Sequence, residues 1–326
     1  MRVFLTGGTG FLGSYVAGEL VARGHVVAAL VRPASRPGVL ATLPGVEMVP
    51  GTLDDPGALA PVVARCDAVV HVAGIVKAAR PDDFFRVNER GTRALAEALA
   101  EARPGAPFVL VSSMAAQGPC DGPRERDPAL PEAPVSLYGR SKLAGERAVL
   151  AFGDRLAATI LRPAMIYGPR DYEFLKVFQF AARTGRVFSM CTEQVACVVD
   201  VRDCARAVAM CVDVPHATPA VYPIDDGTTP TWHDVAAVVG RVLDRPVKAM
   251  GVPRSVMNAV AVAWEGIGRL TGSPPIVNRD KVREAAERYW VCGHSALKAG
   301  VGWTPQVAME DGFRAQVAWA RAEGLL

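Results

Sequence analysis

The first thirteen residues constrain this chain more than any other stretch. Val3, Phe4 and Leu5 form an apolar run that leads into Thr6-Gly7-Gly8-Thr9-Gly10-Phe11-Leu12-Gly13. Residues 14–23 then place Tyr15, Val16, Leu20 and Val21 at spacings a helix can bury. Strand, Gly-rich turn and helix in that order build a phosphate cradle. Backbone N–H groups and the positive end of the helix dipole face an anion, and glycines let it come close. Glycines at 7, 10 and 13 give GxxGxxG, one residue wider at the front than the common GxGxxG. A tight turn with no ligand is the plainer reading; the place after a strand and before a helix favours the cradle.

The rhythm that starts there continues. Short β-branched runs at 2–6, 26–31, 46–49, 68–72, 107–112 and 158–162 alternate with helical patterns at 12–23, 56–64, 84–103 and 136–152. That alternation predicts βαβ units and an α/β fold, a doubly wound parallel sheet with right-handed crossovers. The strands are apolar almost throughout, as expected when helices cover both faces. After Pro163 the pattern changes. A helix is predicted at 172–184, and 195–201 and 220–224 read as late strands returning to the sheet, with a helix at 203–212 between them. Further helices are expected at 231–243, 253–270, 279–288 and 309–323, with an extended piece at 247–250. The chain therefore divides into residues 1–166 as a dinucleotide-binding domain, joined again by 195–225, and 167–326 as a smaller, mostly helical substrate-binding lid. The Pro- and Gly-rich loop 117–135 either borders a site or covers an edge.

Half of the 326 residues are hydrophobic, so a sizeable core is available. Charged residues make up only 21%, with a formal net charge of +3, which argues against a nucleic-acid partner. The seven Cys stand singly, with no CxxC pair and no His in a ligand pattern, so no metal site is expected. Their odd number and the absence of a secretory pattern at the start suggest a reducing, cytoplasmic setting. No run of about 18 apolar residues occurs, so no membrane-spanning segment is expected.

The end of the second strand bears on the cofactor. A carboxylate there would bond the ribose hydroxyls of NAD. This chain instead has Ala28-Ala29-Leu30-Val31-Arg32-Pro33-Ala34-Ser35-Arg36. A guanidinium suits a 2′-phosphate by charge and bidentate geometry, so Arg32 points to NADP(H), with NAD(H) as the alternative if Arg32 only stacks on adenine. The fourth strand ends in Val72-Ala73-Gly74, small enough for a cofactor to lie across it. His71 reads as a core histidine before a catalytic one. Asn88 reads as a bridge to neighbouring backbone.

Tyr138 and Lys142 stand four residues apart, on one face of a helix. A cation beside a phenol stabilises the phenolate and lowers its pKa, so Tyr138 can exchange a proton near neutral pH. The strand ending in Val111 runs into Ser112 and Ser113, where a serine can bond the same substrate oxygen as the tyrosine. Backbone capping is the plain alternative, and it suits Ser112 better than Ser113.

These features together resemble the extended short-chain dehydrogenases/reductases, and nearly the whole chain takes part. Thr6–Gly13, Ser113, Tyr138, Lys142 and Leu161-Arg162-Pro163-Ala164-Met165-Ile166-Tyr167-Gly168-Pro169-Arg170 carry the likeness. Val198–Ala205 and Val301-Gly302-Trp303-Thr304-Pro305 extend it. The resemblance implies a Rossmann fold in which Tyr138 is the acid/base, Lys142 holds the nicotinamide ribose and Ser113 polarises a carbonyl. It implies that Thr6, Gly7, Gly10, Phe11, Leu12, Gly13, Val72, Ala73, Gly74 and Val111 follow the cofactor, with Pro163, Ala164 and Ile166 at the nicotinamide. Thr52 and Leu53 would lie near adenine, although the family's Gly-Asp-Leu is here Gly51-Thr52-Leu53. Met114-Ala115 stand where the sugar-nucleotide dehydratase branch has Asp-Glu, which argues against water elimination. A homodimer through helices 84–103 and 136–152 is a further implication.

In character the chain is similar to the dihydroflavonol-reductase and 3β-hydroxysteroid-dehydrogenase branches. The expected reaction is an NADP-dependent reduction of a carbonyl on a largely apolar small molecule, or oxidation of the matching alcohol. Val256, Val260, Ala263, Trp264, Ile267 and Leu270 share a helix face, and Phe174, Phe178 and Phe180 follow the nicotinamide segment. They would line an apolar pocket, or simply pack a core. Docking of that helix on a membrane surface is a third reading, with Glu265 on its opposite face. A nucleotide-sugar epimerase with bound NAD is the rival; it would draw diphosphate-binding cations from Arg170, Arg183, Arg186, Arg254, Arg269 and Arg279. A cofactor-binding sensor without turnover is the remaining alternative.

Overall fold

The alternating apolar runs form a parallel sheet in the computed structural model, which describes residues 1–128, 130–271 and 277–326, with only the backbone of Pro56, Arg269 and Leu270. The first six strands are β1 (Arg2–Thr6), β2 (Val26–Val31), β3 (Val46–Pro50), β4 (Ala68–His71), β5 (Pro107–Val111) and β6 (Ala157–Pro163). Short strands β7 (Met165–Tyr167), β8 (Arg186–Ser189), β9 (Val195–Ala196) and β10 (Val198–Asp200) follow, then β11 (Ala220–Ile224), β12 (Lys248–Gly251) and β13 (Tyr289–Trp290). The main sheet has seven strands in the order β11-β6-β5-β4-β1-β2-β3. Chain order reverses between β1 and β4, which opens a crevice at their carboxyl ends, the place where such sheets take ligands.

Two helical layers cover the sheet. On one face lie α1 (Phe11–Ala22) and α8 (Val201–Asp213), packed on Val3, Leu5, Val27 and Val70. The other face carries α2 (Pro56–Val63), α4 (Thr92–Ala102) and α6 (Leu137–Leu150), packed on Phe4, Ala28, Val69 and Phe108. Successive residues of β1 thus serve opposite cores, which is why its sequence shows no polar alternation. Before α4 come α3 (Pro81–Phe85) and a π-helical stretch, Arg86–Gly91; the single helix predicted at 84–103 is broken there. The four-residue helix α5 (Met114–Gln117) follows β5.

A third core gathers α7 (Tyr172–Thr184), α9 (Trp232–Leu243) and the last helix, α13 (Met309–Ala322), around Tyr167, Phe174, Phe178 and Phe313. Between them run α10 (Arg254–Thr271), α11 (Arg279–Ala286) and α12 (Ser295–Val301). One predicted return to the sheet is corrected. β11 does pair with β6, but 195–201 does not join the sheet: β9 pairs with β13, and β10 with β7. The reason is local. β6 already has β5 and β11 on its two sides, and the segment instead pairs with β7, just beyond β6, and with β13. Among the described residues no helix is long and apolar enough to cross a membrane.

Candidate active site

The Gly-rich turn has the close packing a cradle requires. Gly7 has φ +75°, and a Cβ there would lie 2.6 Å from the backbone N of Ala73. A Cβ on Gly13 would run into the carbonyl of Gly7. Gly10 caps α1 without a side-chain bond, leaving the first-turn N–H groups of Phe11, Leu12 and Gly13 for an anion. The turn therefore fits a dinucleotide pyrophosphate, and the Cβ atoms it excludes are the observation that says so.

Behind the turn runs a chain of hydrogen bonds. The Thr6 hydroxyl accepts from the Ala73 N–H at 3.2 Å and lies 2.6 Å from His71 Nδ1. His71 Nε2 lies 2.9 Å from Thr92 Oγ1, which donates to the Asn88 carbonyl. These roles assign the neutral Nε2–H tautomer. Burial, helped by the Lys142 charge, pushes the imidazole down to about 3. His71 is thus a neutral core bridge. Asn88 grips the loop after β4 through the Ile75 N–H and carbonyl, and it also donates to Ser141 on α6. Val72, Ala73 and Gly74 lie along this track, and a Cβ on Gly74 would sit 3.5 Å from Lys142 Nζ.

Ser113, Tyr138 and Lys142 come together at the carboxyl end of β5. Ser136 caps α6 by accepting from the Gly139 N–H, and Gly139 lets the helix close against the Ala115 carbonyl on α5. The Ser113 hydroxyl lies near enough to the Tyr138 phenol to draw its pKa down. Lys142 Nζ donates to the Val111 carbonyl at 2.6 Å. Burial pushes the Tyr138 phenol up to about 12, against the pull of Ser113, and pushes Lys142 down to about 8, against the pull of Glu146. The expected lowering of the Tyr138 pKa is therefore corrected: the ammonium group is held by a backbone carbonyl, not by the phenol. The expectation that capping suits Ser112 better than Ser113 is corrected too. Ser113 caps α5 by accepting from the Ala115 N–H, while Ser112 donates to the Glu146 carboxylate.

Sequence reasoning missed the layer beneath. Glu146 is almost fully buried and takes Arg162 at 2.6 Å, and Arg162 also reaches Glu132 at 3.0 Å. This pair fixes α6 to β6 under Tyr138 and Lys142. Two signals pointed to it: Glu146 follows Lys142 by one helical turn, and Arg162 is a lone cation in an apolar strand.

The remaining expected positions fall as follows. Arg32 is exposed at the end of β2, with no ion pair among the described residues. Thr52 accepts from the Asp54 N–H, and Leu53 packs against the α2–α4 core. Pro163 and Ala164 are buried at the end of β6, and Ile166 is half-buried in β7. Phe174 and Phe178 are core, and Phe180 stacks near Phe188, so none of the three walls a pocket. The candidate diphosphate cations do not gather. Arg170 lies over the Tyr15 ring, Arg279 pairs with Glu265, and Arg183, Arg186 and Arg254 are exposed; the Arg269 and Leu270 side chains lie outside the described residues. Cys197, Cys292 and Asp225, distant in sequence, meet in a buried cluster with ligand atoms within 4.8 Å of one another. Beside it, Asp225, Cys292, His294 and Lys298 help to line a cavity of about 680 Å³, which none of Ser113, Tyr138 or Lys142 touches.

Comparison with known proteins agrees with this geometry. The model of the NAD-dependent epimerase/dehydratase family matches residues 3–224. Ceramide reductase of Caulobacter vibrioides is 33% identical, with 99% of this chain and 96% of that one covered. The 2-alkyl-3-oxoalkanoate reductase of Stenotrophomonas maltophilia is 29% identical, covering 96% and 98%. Among solved structures, gox2253 superposes with a TM-score of 0.82 at 27% identity, over 100% of this chain and 99% of that one. The UDP-glucose 4-epimerase of Thermotoga maritima shares the fold, with a TM-score of 0.79 at 21% identity over 99% of each chain. A glycine cradle, a Ser-Tyr-Lys set at the neighbouring strand end and a family match over most of the chain agree: this is an oxidoreductase of the NAD-dependent epimerase/dehydratase family, within the extended short-chain dehydrogenases/reductases.

Proposed function

We propose that this enzyme uses NADP(H) to reduce the carbonyl of a largely apolar, lipid-like molecule, or to oxidise the matching alcohol. Residues 1–166 with 201–224 would hold the dinucleotide, and 167–326 would choose the substrate. The observation that carries the reading is the gathering of Ser113, Tyr138 and Lys142 at the end of β5, next to the glycine cradle, with Lys142 Nζ on the Val111 carbonyl. Two relatives that span nearly all of the chain are named for reducing ceramide and a 2-alkyl-3-oxoalkanoate, molecules with apolar chains. The exposed Arg32, with no carboxylate near it on β2, supports the 2′-phosphate form.

A bound nicotinamide would supply the hydride. The chain's own part is to place and move a proton. Ser113 and Tyr138 aim two hydroxyls at one oxygen, which orients the carbonyl and stabilises charge as it develops. A phenol pushed up to about 12 is protonated at neutral pH, so Tyr138 stands loaded with the proton that reduction needs. Lys142 then stabilises the phenolate that remains. To reach it, the ammonium group must leave the Val111 carbonyl or share it.

The test is NADPH consumption with an apolar ketone. Stoichiometric oxidation is expected, and Tyr138→Phe should lose roughly 100-fold or more in kcat, since it removes only the acid. An epimerase would show no net consumption. Full turnover by Tyr138→Phe would end the proposal.

A further inference from the structure

Helix α10 presents its apolar stripe to solvent. Val256, Val260, Ala263 and Ile267 follow one another at spacings of three and four, with Ala259 beside Val260, and all five are exposed, Val256 at 50% and Ile267 at 46%. They neither line the site nor fill a core. The carboxylate of this helix, Glu265, is turned the other way and pairs with Arg279 at the start of α11. Among the described side chains, the exposed stripe carries no charge.

Cations lie immediately beside it in the chain. β12 leads into α10 through two residues, Val252 and Pro253, and it pairs in parallel with β8 so that Lys248 stands opposite Arg186. Both are exposed, and neither has an ion pair among the described residues. Like charges set directly opposite one another repel, so this pair gains from an external anion. Arg254 opens α10, exposed and without an ion pair among the described residues, where the positive end of the helix dipole disfavours a cation without an anion to meet it. Phe188 projects from the same strand as Arg186 and is 43% exposed.

We propose that α10, with the β8–β12 edge, is a docking surface for the face of an anionic phospholipid bilayer. The apolar stripe enters the acyl boundary, while Arg186, Lys248 and Arg254 meet lipid phosphates. The proposal deepens the lipid-like substrate reading, on which its purpose rests, because an enzyme seated on a bilayer takes its substrate from there. It needs no spanning helix.

The experiment uses the full chain and vesicles of phosphatidylcholine, alone or with phosphatidylglycerol, in a flotation assay. Binding to the anionic vesicles is expected, weaker on neutral ones and weakened by salt. Val260→Glu with Ile267→Glu should reduce partitioning roughly tenfold or more, and Arg186→Glu with Lys248→Glu by a similar factor. NADPH oxidation with a water-soluble ketone should be unchanged in both variants. That second readout separates the two proposals: loss of vesicle binding with full soluble activity is the expected result, whereas wild-type chain that turns over the ketone but ignores anionic vesicles overturns docking alone. Unchanged vesicle binding by the Val260/Ile267 variant overturns it too. So does a wild-type dimer, seen by light scattering, that this variant splits, because the face would then belong to a second copy of the chain.

Discussion

The imidazole of His71 is fully buried between the hydroxyls of Thr6 and Thr92, and it carries no charge there. Its pKa falls from 6.5 to about 3 in the fold, chiefly by burial. The unfolded chain therefore binds a proton that the folded chain refuses between those values. Stability from this group is complete above pH 6.5 and drains away as pH falls toward 3. By about pH 4.5 the loss should reach about 2–3 kcal/mol. Urea titrations at neutral and acid pH check this: His71→Gln, whatever its own stability, should show a shallower decline than wild type, and parallel declines would refute it. Arg32 makes the opposite case, an exposed side chain with no ion pair among the described residues. Arg32→Ala should raise the KM for NADPH by roughly tenfold and leave that for NADH nearly unchanged. Equal shifts would mean that Arg32 only covers adenine. His71 was legible in the sequence for a plain reason: it departs from its surroundings, polar in an apolar strand. Ser112 and Ser113 are adjacent and alike. Which one caps and which one binds Glu146 depends on where α5 turns, and no spacing rule shows that.

Elements built on a strict period were easy to read. β2, α7 and β11 occupy the residues expected, because each is a run of one period closed by a Gly, Pro or polar residue. The π-helical stretch at Arg86–Gly91 was not legible. It inserts a residue into a pattern that is otherwise a plain amphipathic helix, and it lets Asn88 reach Ile75 and Ser141 at once. The short strands β7 and β8 were also hidden, and 195–201 was read as one strand where β9 and β10 are two, since so few residues carry no period of their own. The strand–turn–helix unit at the N-terminus was the most legible part, and it is sensitive to a single methyl group. Gly13→Ala drives a Cβ into the Gly7 carbonyl, so α1 must shift away from the turn. The expected result is at least about tenfold weaker dinucleotide binding by fluorescence titration, together with lower thermal stability. Gly18, a helical glycine with nothing within 4 Å of its would-be Cβ, is the control, and Gly18→Ala should bind normally and be stable. Equal behaviour of the two variants would show that the close approach at Gly13 is not needed.

At the scale of the molecule, the sheet and the third core are joined by the strand that leaves the site. Pro163 and Ala164 close β6, and three residues later Tyr167 is fully buried in that aromatic core. There its ring meets Phe313 at 4.9 Å, while Phe174 and Phe178 sit 5.1 Å and 5.2 Å from the same Phe313. The last helix therefore clamps the segment that borders the active site. Its Gln316 adds a hydrogen bond to the Asp171 carbonyl, and Gly312 leaves room for Tyr167 and Asp200. A helix at 309–323 was expected from period alone, but its partner was not, because a contact across some 145 residues leaves no local trace. The aromatic core predicts how damage spreads. Phe313→Ala removes the ring at the centre of the cluster and should cost about 3–5 kcal/mol, read as a lower urea midpoint. Because Tyr167 loses its main neighbour, the disturbance should also reach Ala164 and Ile166. The KM for the carbonyl substrate should then rise, while the glycine cradle, built on β1 and α1, binds dinucleotide as before. Phe313→Leu keeps most of the volume and should give a smaller stability loss with little change in KM. If Phe313→Ala weakened dinucleotide and substrate binding alike, the last helix would be supporting the whole fold and not the substrate side of the site.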